Sequence, residues 1–196
     1  MASILVVCSG NICRSPVAEG LLRRGVQRRF GIDAPRITSA GTIGLEGSTA
    51  TPESVQAAAE RGVDISAHVA RRLTDPMIEG ADLVMCMAAE HRTAIATRVP
   101  PALDRTFTLK ELARLLEDDA PASRLPGDAL GTRIAVAAAA RRGGGSINPY
   151  DEDIVDPLGM PLETYRAIAW ELDEWIDRLL AGVFGPVPAG VAGEGS

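Results

Sequence analysis

Short, unbroken apolar runs alternate along this chain with longer stretches in which apolar residues recur every three or four positions. Residues 4–7 read Ile-Leu-Val-Val, the pattern of a strand buried on both faces of a parallel sheet. From Pro16 the period lengthens. Val17, Ala18, Leu21, Leu22 and Val26 form one helical face, Arg23, Arg24, Arg28 and Arg29 suit the negative end of the helix dipole, and Gly31 supplies a stop. Residues 36–40 read as a second strand. Thr51-Pro52-Glu53 carries the N-cap, the first-turn proline and the early acid of a helix that stops near Gly62. Ser66 is expected to cap a short helix containing His68, Val69 and Leu73.

Residues 82–87 and 106–109 are two more strand candidates, with a helical stretch over 88–98 between them. Residues 109–117 and 128–142 follow helical spacing on either side of a Pro/Ser/Gly turn, and 141–146 read as a flexible loop. The last helix is the clearest, with Leu162, Tyr165, Ile168, Ala169, Leu172, Trp175, Ile176 and Leu179 on one face. Short strands alternating with helices predict an α/β fold of three layers, a short parallel four-stranded sheet with helices on both faces. One domain is expected over 1–184, with 110–150 as a helical insertion and 185–196 as a disordered Gly/Pro/Ala tail.

Composition narrows the function. Lys110 is the only lysine among 20 basic residues, and it lies far from any Gly-x-x-x-x-Gly-Lys pattern, which removes Walker-type nucleotide binding. A formal charge of −6 argues against a nucleic-acid partner. Three cysteines, Cys8, Cys13 and Cys86, are too few for a disulfide scaffold, and Cys86 between two methionines reads as core. A secretory signal, a membrane span and metal-ligand spacing are all missing, so a cytoplasmic protein with no membrane partner, no metal and no cofactor is expected.

The chemistry concentrates in residues 7–16, Val-Cys-Ser-Gly-Asn-Ile-Cys-Arg-Ser-Pro, which join a buried strand to a helix start. Open α/β sheets bind ligands at such junctions. Five residues separate Cys8 from Arg14. A loop this short turns the amides of Ser9, Gly10, Asn11, Ile12, Cys13, Arg14 and Ser15 toward one point, an anion nest reinforced by the helix dipole. A tetrahedral oxyanion fits there, and the same field favours the thiolate form of Cys8, a nucleophile. Arg14 can grip two phosphoryl oxygens at once, and Ser15 can donate to the Cys8 sulfur. Asn11 tolerates a left-handed backbone.

Residues 8–16 resemble the signature of the low-molecular-weight protein tyrosine phosphatases. Ser39-Ala40-Gly41-Thr42 is similar to the family's segment after the second strand, and Ser66-Ala67-His68-Val69-Ala70-Arg71 to its Ser-His-Val-Ala-Arg segment. The match covers 4 to about 98 and 150 to about 181, around a longer central stretch. The resemblance implies a general acid in an Asp-Pro pair near the C-terminus, here Asp156-Pro157; Asp75-Pro76 is a second such pair. It implies a bracing network of Asn11, Ser15, Ser39 and His68, and a redox partner for Cys8 in Cys13. It implies two-step hydrolysis of a phosphate monoester, above all protein phosphotyrosine, through a cysteinyl-phosphate, with inorganic phosphate as product.

Where tyrosine-specific members carry aromatic slot walls, this chain has Leu45 and Leu158-Gly159, both aliphatic, with Glu46 alongside and Tyr150 as a candidate replacement. Three alternatives stay open. Thiol-coupled arsenate reductases share the Cys-x5-Arg loop, but arsenate reduction has no ester leaving group for Asp156 to protonate. The substrate is otherwise a non-protein phosphate ester, or the chain is a phosphate-binding module without turnover.

Overall fold

The computed structural model describes residues 2–117, 126–144 (126–129 by backbone alone) and 152–185. Tyr150, residues 145–146 of the expected loop and the tail over 186–196 lie outside the described residues. Four strands form one parallel sheet: β1 (Ser3–Cys8), β2 (Arg36–Gly41), β3 (Leu83–Cys86) and β4 (Thr106–Thr108), in the order β2-β1-β3-β4. The register runs Cys8 opposite Gly41, and Val7 opposite Cys86.

Because strand side chains alternate, β1 serves two cores. Ile4, Val6 and Cys8 face one layer with Met85, while Leu5 and Val7 face the other with Val84 and Cys86. The first layer holds α1 (Arg14–Phe30), α2 (Pro52–Glu60), α5 (Leu109–Glu117), α6 (Pro126–Arg142) and α7 (Leu162–Phe184). The second holds α3 (Asp75–Glu79) and α4 (Ala89–Arg98), which bury Ile78 and Ile95. This is the three-layer architecture expected. Thr51 caps α2 by accepting from Ser54 N–H, and Gly31, with φ +55°, ends α1.

Within the expected insertion, α5 is part of the core, burying Leu109, Leu112, Ala113 and Leu116, and α6 adds Leu130, Ala137 and Ala138. The expected helix over 66–73 does not form. Its polar groups are committed elsewhere: Asp64 accepts from Ser66 N–H, Ala70 N–H donates to Ser48, Arg71 N–H to the Asn11 side chain and Leu73 N–H to Gly41. The short helix falls at α3 instead, where Pro76 presets the first turn.

Arginines guard both sheet edges. Arg23 and Arg71 donate to the carbonyls of Ile37 and Ser39 on β2, and Arg141 donates to Thr106 on β4. The groove of about 650 Å³ between α1 and β2 is therefore a capped edge that Cys8 does not line. Among the described residues no helix is long and apolar enough to cross a membrane.

Candidate active site

From β1 the chain goes to β2 on one side through α1, and later to β3 on the other, so strand order reverses at the carboxyl end of β1. Cys8 ends β1 and Arg14 begins α1 at that switch point, where the crevice between diverging connections opens. Residues 9–13 curl between them, with Asn11 at φ +60°, the only non-glycine at positive φ among the described residues.

The Cys8 sulfur is buried and lies 2.9 Å from Ser15 Oγ and 3.3 Å from the Asn11 amide nitrogen. Asn11 is the hub of the brace. Its Nδ2 donates to Ser15 Oγ at 2.9 Å and to Ser39 Oγ at 2.8 Å, its Oδ1 accepts from Arg71 N–H, and its carbonyl lies 2.8 Å from His68 Nε2. The structure thus brings together all four expected members of the network. Glu19, which accepts from Ser39 Oγ at 2.6 Å, is an addition. The Cys8 carbonyl accepts from Thr42 N–H, and the Ser9 carbonyl from Ile43 and Gly44, which stitches the loop to the end of β2.

Arg14 is buried beneath the loop. Its Nη1 donates to the Ile154 carbonyl at 3.1 Å, and its Nη2 to Ser9 Oγ at 3.2 Å and to Asp156 Oδ2 at 2.5 Å. Its Nε is buried with no partner. Asp156, about half exposed, stands across the slot mouth from the thiol loop, while Leu158 N–H donates to its other oxygen.

The structure places Asp156, expected from the sequence, against Arg14, and it shows what holds that segment, which the sequence does not reveal. Ile154 N–H donates to the Met87 carbonyl, Asp153 accepts from Ala89 N–H at 2.7 Å, and Lys110 Nζ donates to the Asp153 carbonyl at 3.0 Å. His91 was also missed. It is buried, its Nε2 lies 3.0 Å from Ser9 Oγ, and burial, with the Arg14 charge beside it, pushes its pKa down to about 4. A histidine in the first turn after an apolar strand of a parallel sheet was the available signal.

A slot of about 310 Å³ opens over Cys8, walled by Ile12, Ile43, Leu45 and Leu158. Both slot residues named from sequence are there. No described residue of 110–144 reaches it. Cys13 is buried against Thr51 Oγ1 and Tyr165 Oη, and burial raises its thiol above the ordinary range despite those hydrogen bonds. Cys86 is fully buried core, its thiol also pushed up by burial. Among the described residues no group of His, Cys, Asp or Glu is arranged to hold a metal ion.

A tight loop with a buried cysteine, an arginine at its end and an aspartate against that arginine, at the switch point of a parallel sheet, is the architecture of the cysteine-based phosphatases. The comparisons make the class particular. Residues 3–119 match the family model described as low molecular weight phosphotyrosine protein phosphatase. A protein-arginine-phosphatase of Geobacillus stearothermophilus is 33% identical over 176 residues, 90% of this chain and 92% of that protein. The probable low molecular weight protein-tyrosine-phosphatase EpsP of Ralstonia solanacearum is 39% identical over 117 residues, 60% of this chain and 77% of that protein. The crystal structure of a low molecular weight protein tyrosine phosphatase from T. tengcongensis superposes with a TM-score of 0.68 at 32% identity, covering 92% of this chain and 98% of that one. The chain belongs to the low molecular weight phosphotyrosine protein phosphatase family. The arsenate-reductase alternative is set aside, since the family and these relatives are phosphatases.

Proposed function

We propose that this protein removes phosphoryl groups from phosphotyrosyl proteins, with Cys8 as nucleophile, Arg14 as phosphoryl clamp and Asp156 as general acid and base. The observation that carries the reading is the Cys8 sulfur, flanked by the Ser15 hydroxyl and the Asn11 amide, at the floor of a slot whose mouth holds Asp156 against Arg14. An incoming phosphoryl group takes the place of the Asp156 carboxylate on Arg14 Nη2 and uses the unpartnered Nε as a second donor.

Cys8 thiolate attacks phosphorus in line, the ester P–O bond breaks, and protonated Asp156 gives its proton to the leaving oxygen. The loop amides and Arg14 hold the charge that builds on the equatorial oxygens. Asp156, now ionised, takes a proton from water as the water attacks phosphorus; the S–P bond breaks and inorganic phosphate leaves. Asn11, Ser15, Ser39 and His68 keep the loop in the shape this requires. Cys13, in the same loop, forms a reversible disulfide with Cys8 once Cys8 is oxidised to the sulfenic acid, with water as the by-product.

The slot supports an aryl substrate. Ile12, Ile43, Leu45 and Leu158 offer aliphatic faces to a flat ring, and Asp156 is the one carboxylate among its lining residues. Phosphoarginine is the second reading, favoured by the arginine-phosphatase relative, whose match runs along 90% of this chain against 60% for the tyrosine-phosphatase relative.

Phosphate release from two peptides of one sequence, bearing phosphotyrosine or phosphoarginine, separates the readings. A kcat/KM at least about tenfold higher for phosphotyrosine, a difference of about 1.4 kcal/mol, supports the first; the reverse order transfers the protein to the second. Cys8→Ser is expected to abolish turnover while retaining phosphate binding, and Asp156→Asn to slow aryl ester cleavage by about 10²–10⁴. Turnover surviving in Cys8→Ser overturns the mechanism.

A further inference from the structure

We propose that His91 is a positioning residue that turns the Ser9 hydroxyl proton into the slot, making Ser9 a side-chain hydrogen-bond donor to the bound phosphoryl group. The proposal rests on the phosphatase reading of the Cys8 loop and adds a donor to it.

His91 is 1% exposed, on α4, and reaches Ser9 from behind the loop. Its ring is neutral at physiological pH, so one nitrogen carries the proton. The surroundings decide which. Nε2 lies 3.0 Å from Ser9 Oγ, a hydroxyl that can accept or donate, and 3.4 Å from Glu90 Oε1, a carboxylate that can only accept, whereas Nδ1 is buried with no partner. Placing the proton on Nδ1 would bury an orphan donor; placing it on Nε2 leaves only a bare lone pair at Nδ1, the less costly fault.

Ser9 Oγ then accepts from His91 Nε2–H and from Arg14 Nη2–H at 3.2 Å. Both lone pairs are used, and its own proton must point elsewhere. Among the described residues Ser9 Oγ has no other partner, and Ser9 lines the slot beside Cys8. The free proton is therefore available to an oxyanion in the slot. The same contact holds Arg14 Nη2 in place when Asp156 leaves it. In the opposite tautomer Ser9 would spend its proton on His91 and have none for phosphate.

The test is competitive inhibition by inorganic phosphate, measured during turnover of an aryl phosphate, in Ser9→Ala, His91→Leu, His91→Gln and the double variant Ser9→Ala/His91→Leu. Losing a hydrogen bond to an anion is expected to weaken phosphate about tenfold in Ser9→Ala. His91→Leu is expected to weaken it about threefold or more. The double variant should be no weaker than Ser9→Ala alone, and His91→Gln, whose amide N–H reaches the Nε2 position, should recover most of the affinity. A purely structural His91 would instead give additive losses with no rescue. Additivity, or Ser9→Ala with phosphate affinity within twofold of the parent, overturns the proposal. If His91→Leu does not fold, Ser9→Ala and His91→Gln still decide it. If the parent protein turns over no aryl phosphate, the phosphotyrosine reading fails instead, and calorimetric phosphate titration of Cys8→Ser with and without Ser9→Ala reads the donor independently.

Discussion

Replacing Gly41 with alanine adds one methyl group where β2 ends and the thiol loop crosses it. A Cβ built there sits 2.5 Å from the Ser9 carbonyl oxygen and 3.0 Å from both the Asn11 nitrogen and the Gly10 carbonyl carbon. Every atom it meets is backbone, so no side chain can swing aside. Restoring an ordinary C···O separation of about 3.3 Å requires a shift of about 0.8 Å. Gly41 cannot supply it easily, because its N–H donates to Arg71 and its carbonyl accepts from Leu73. The loop must move, and Ser9 and Asn11 belong to the cradle around Cys8. A displacement near 1 Å at reacting groups costs about 10² in rate, so kcat/KM on an aryl phosphate is expected to fall about a hundredfold. Overpacking of this kind costs about 1–3 kcal/mol, which for a chain of this length lowers Tm by about 2–12 °C. Gly131→Ala is the control: it lies exposed on α6 with nothing within 4 Å of the added carbon, and it should leave kcat/KM unchanged. Gly41→Ala with kcat/KM within twofold of the parent would refute the claim that this close approach shapes the site.

Asp173 is buried on α7 and binds Arg24 of α1 at 2.5 Å and Arg61 at the end of α2 at 2.7 Å, so Asp173→Ala removes the carboxylate that two guanidiniums share; a loss of about 3 kcal/mol and a Tm fall of about 6–12 °C are expected by calorimetry, and an unchanged Tm would show the three helices do not depend on it. For His91 the sign follows from a folded pKa of about 4, below its ordinary 6.5. The unfolded chain takes up the proton first, so this stability is complete above pH 6.5 and is lost as pH falls toward 4, on the order of 3 kcal/mol in all. Chemical denaturation across that window should steepen for the parent and flatten in His91→Gln; equal slopes would contradict the burial argument. Cys13, its thiol raised by burial, attacks oxidised Cys8 only as thiolate, so peroxide-induced Cys8–Cys13 linkage should keep accelerating through pH 9, and mass mapping that finds a flat rate, or over-oxidised Cys8 without the link, removes the redox role.

Which features were legible from sequence follows from how local their physics is. The strand Ser3–Cys8, the α1 and α2 boundaries at Gly31 and Thr51, and the loop from Cys8 to Ser15 are encoded by neighbours in the chain, through periodicity, capping and anion-nest geometry. The segment over 66–73 has a helix pattern but forms none, because its polar groups are claimed by Asn11, Ser48 and Gly41, partners 20 to 60 residues away that no local rule weighs. Gly41 illustrates the same limit from the other side. It was visible inside Ser-Ala-Gly-Thr, but the reason for a glycine appears only once the loop backbone lies across it. His91, Lys110 and Asp153 carried no motif at all, and they matter because α4, α5 and the 152–156 segment converge on one end of the sheet.

That convergence explains why the aspartate and the arginine can act as a unit. Arg14 uses separate nitrogens for separate tasks: Nη1 on the Ile154 carbonyl, Nη2 on Ser9 and Asp156, and Nε unpaired. In the proposed mechanism a phosphoryl group entering the slot uses Nε and Nη2, so it competes with the Asp156 carboxylate and leaves the Ile154 bond intact. The segment bearing Asp156 therefore keeps its register, held as well by Met87 and Lys110, while the carboxyl itself is released from the guanidinium. Released from Arg14, the carboxyl stands at the slot mouth beside the leaving oxygen of the proposed reaction, still anchored by the Leu158 N–H. In the proposed mechanism substrate binding thus frees the Asp156 carboxyl through the same arginine that clamps the phosphate.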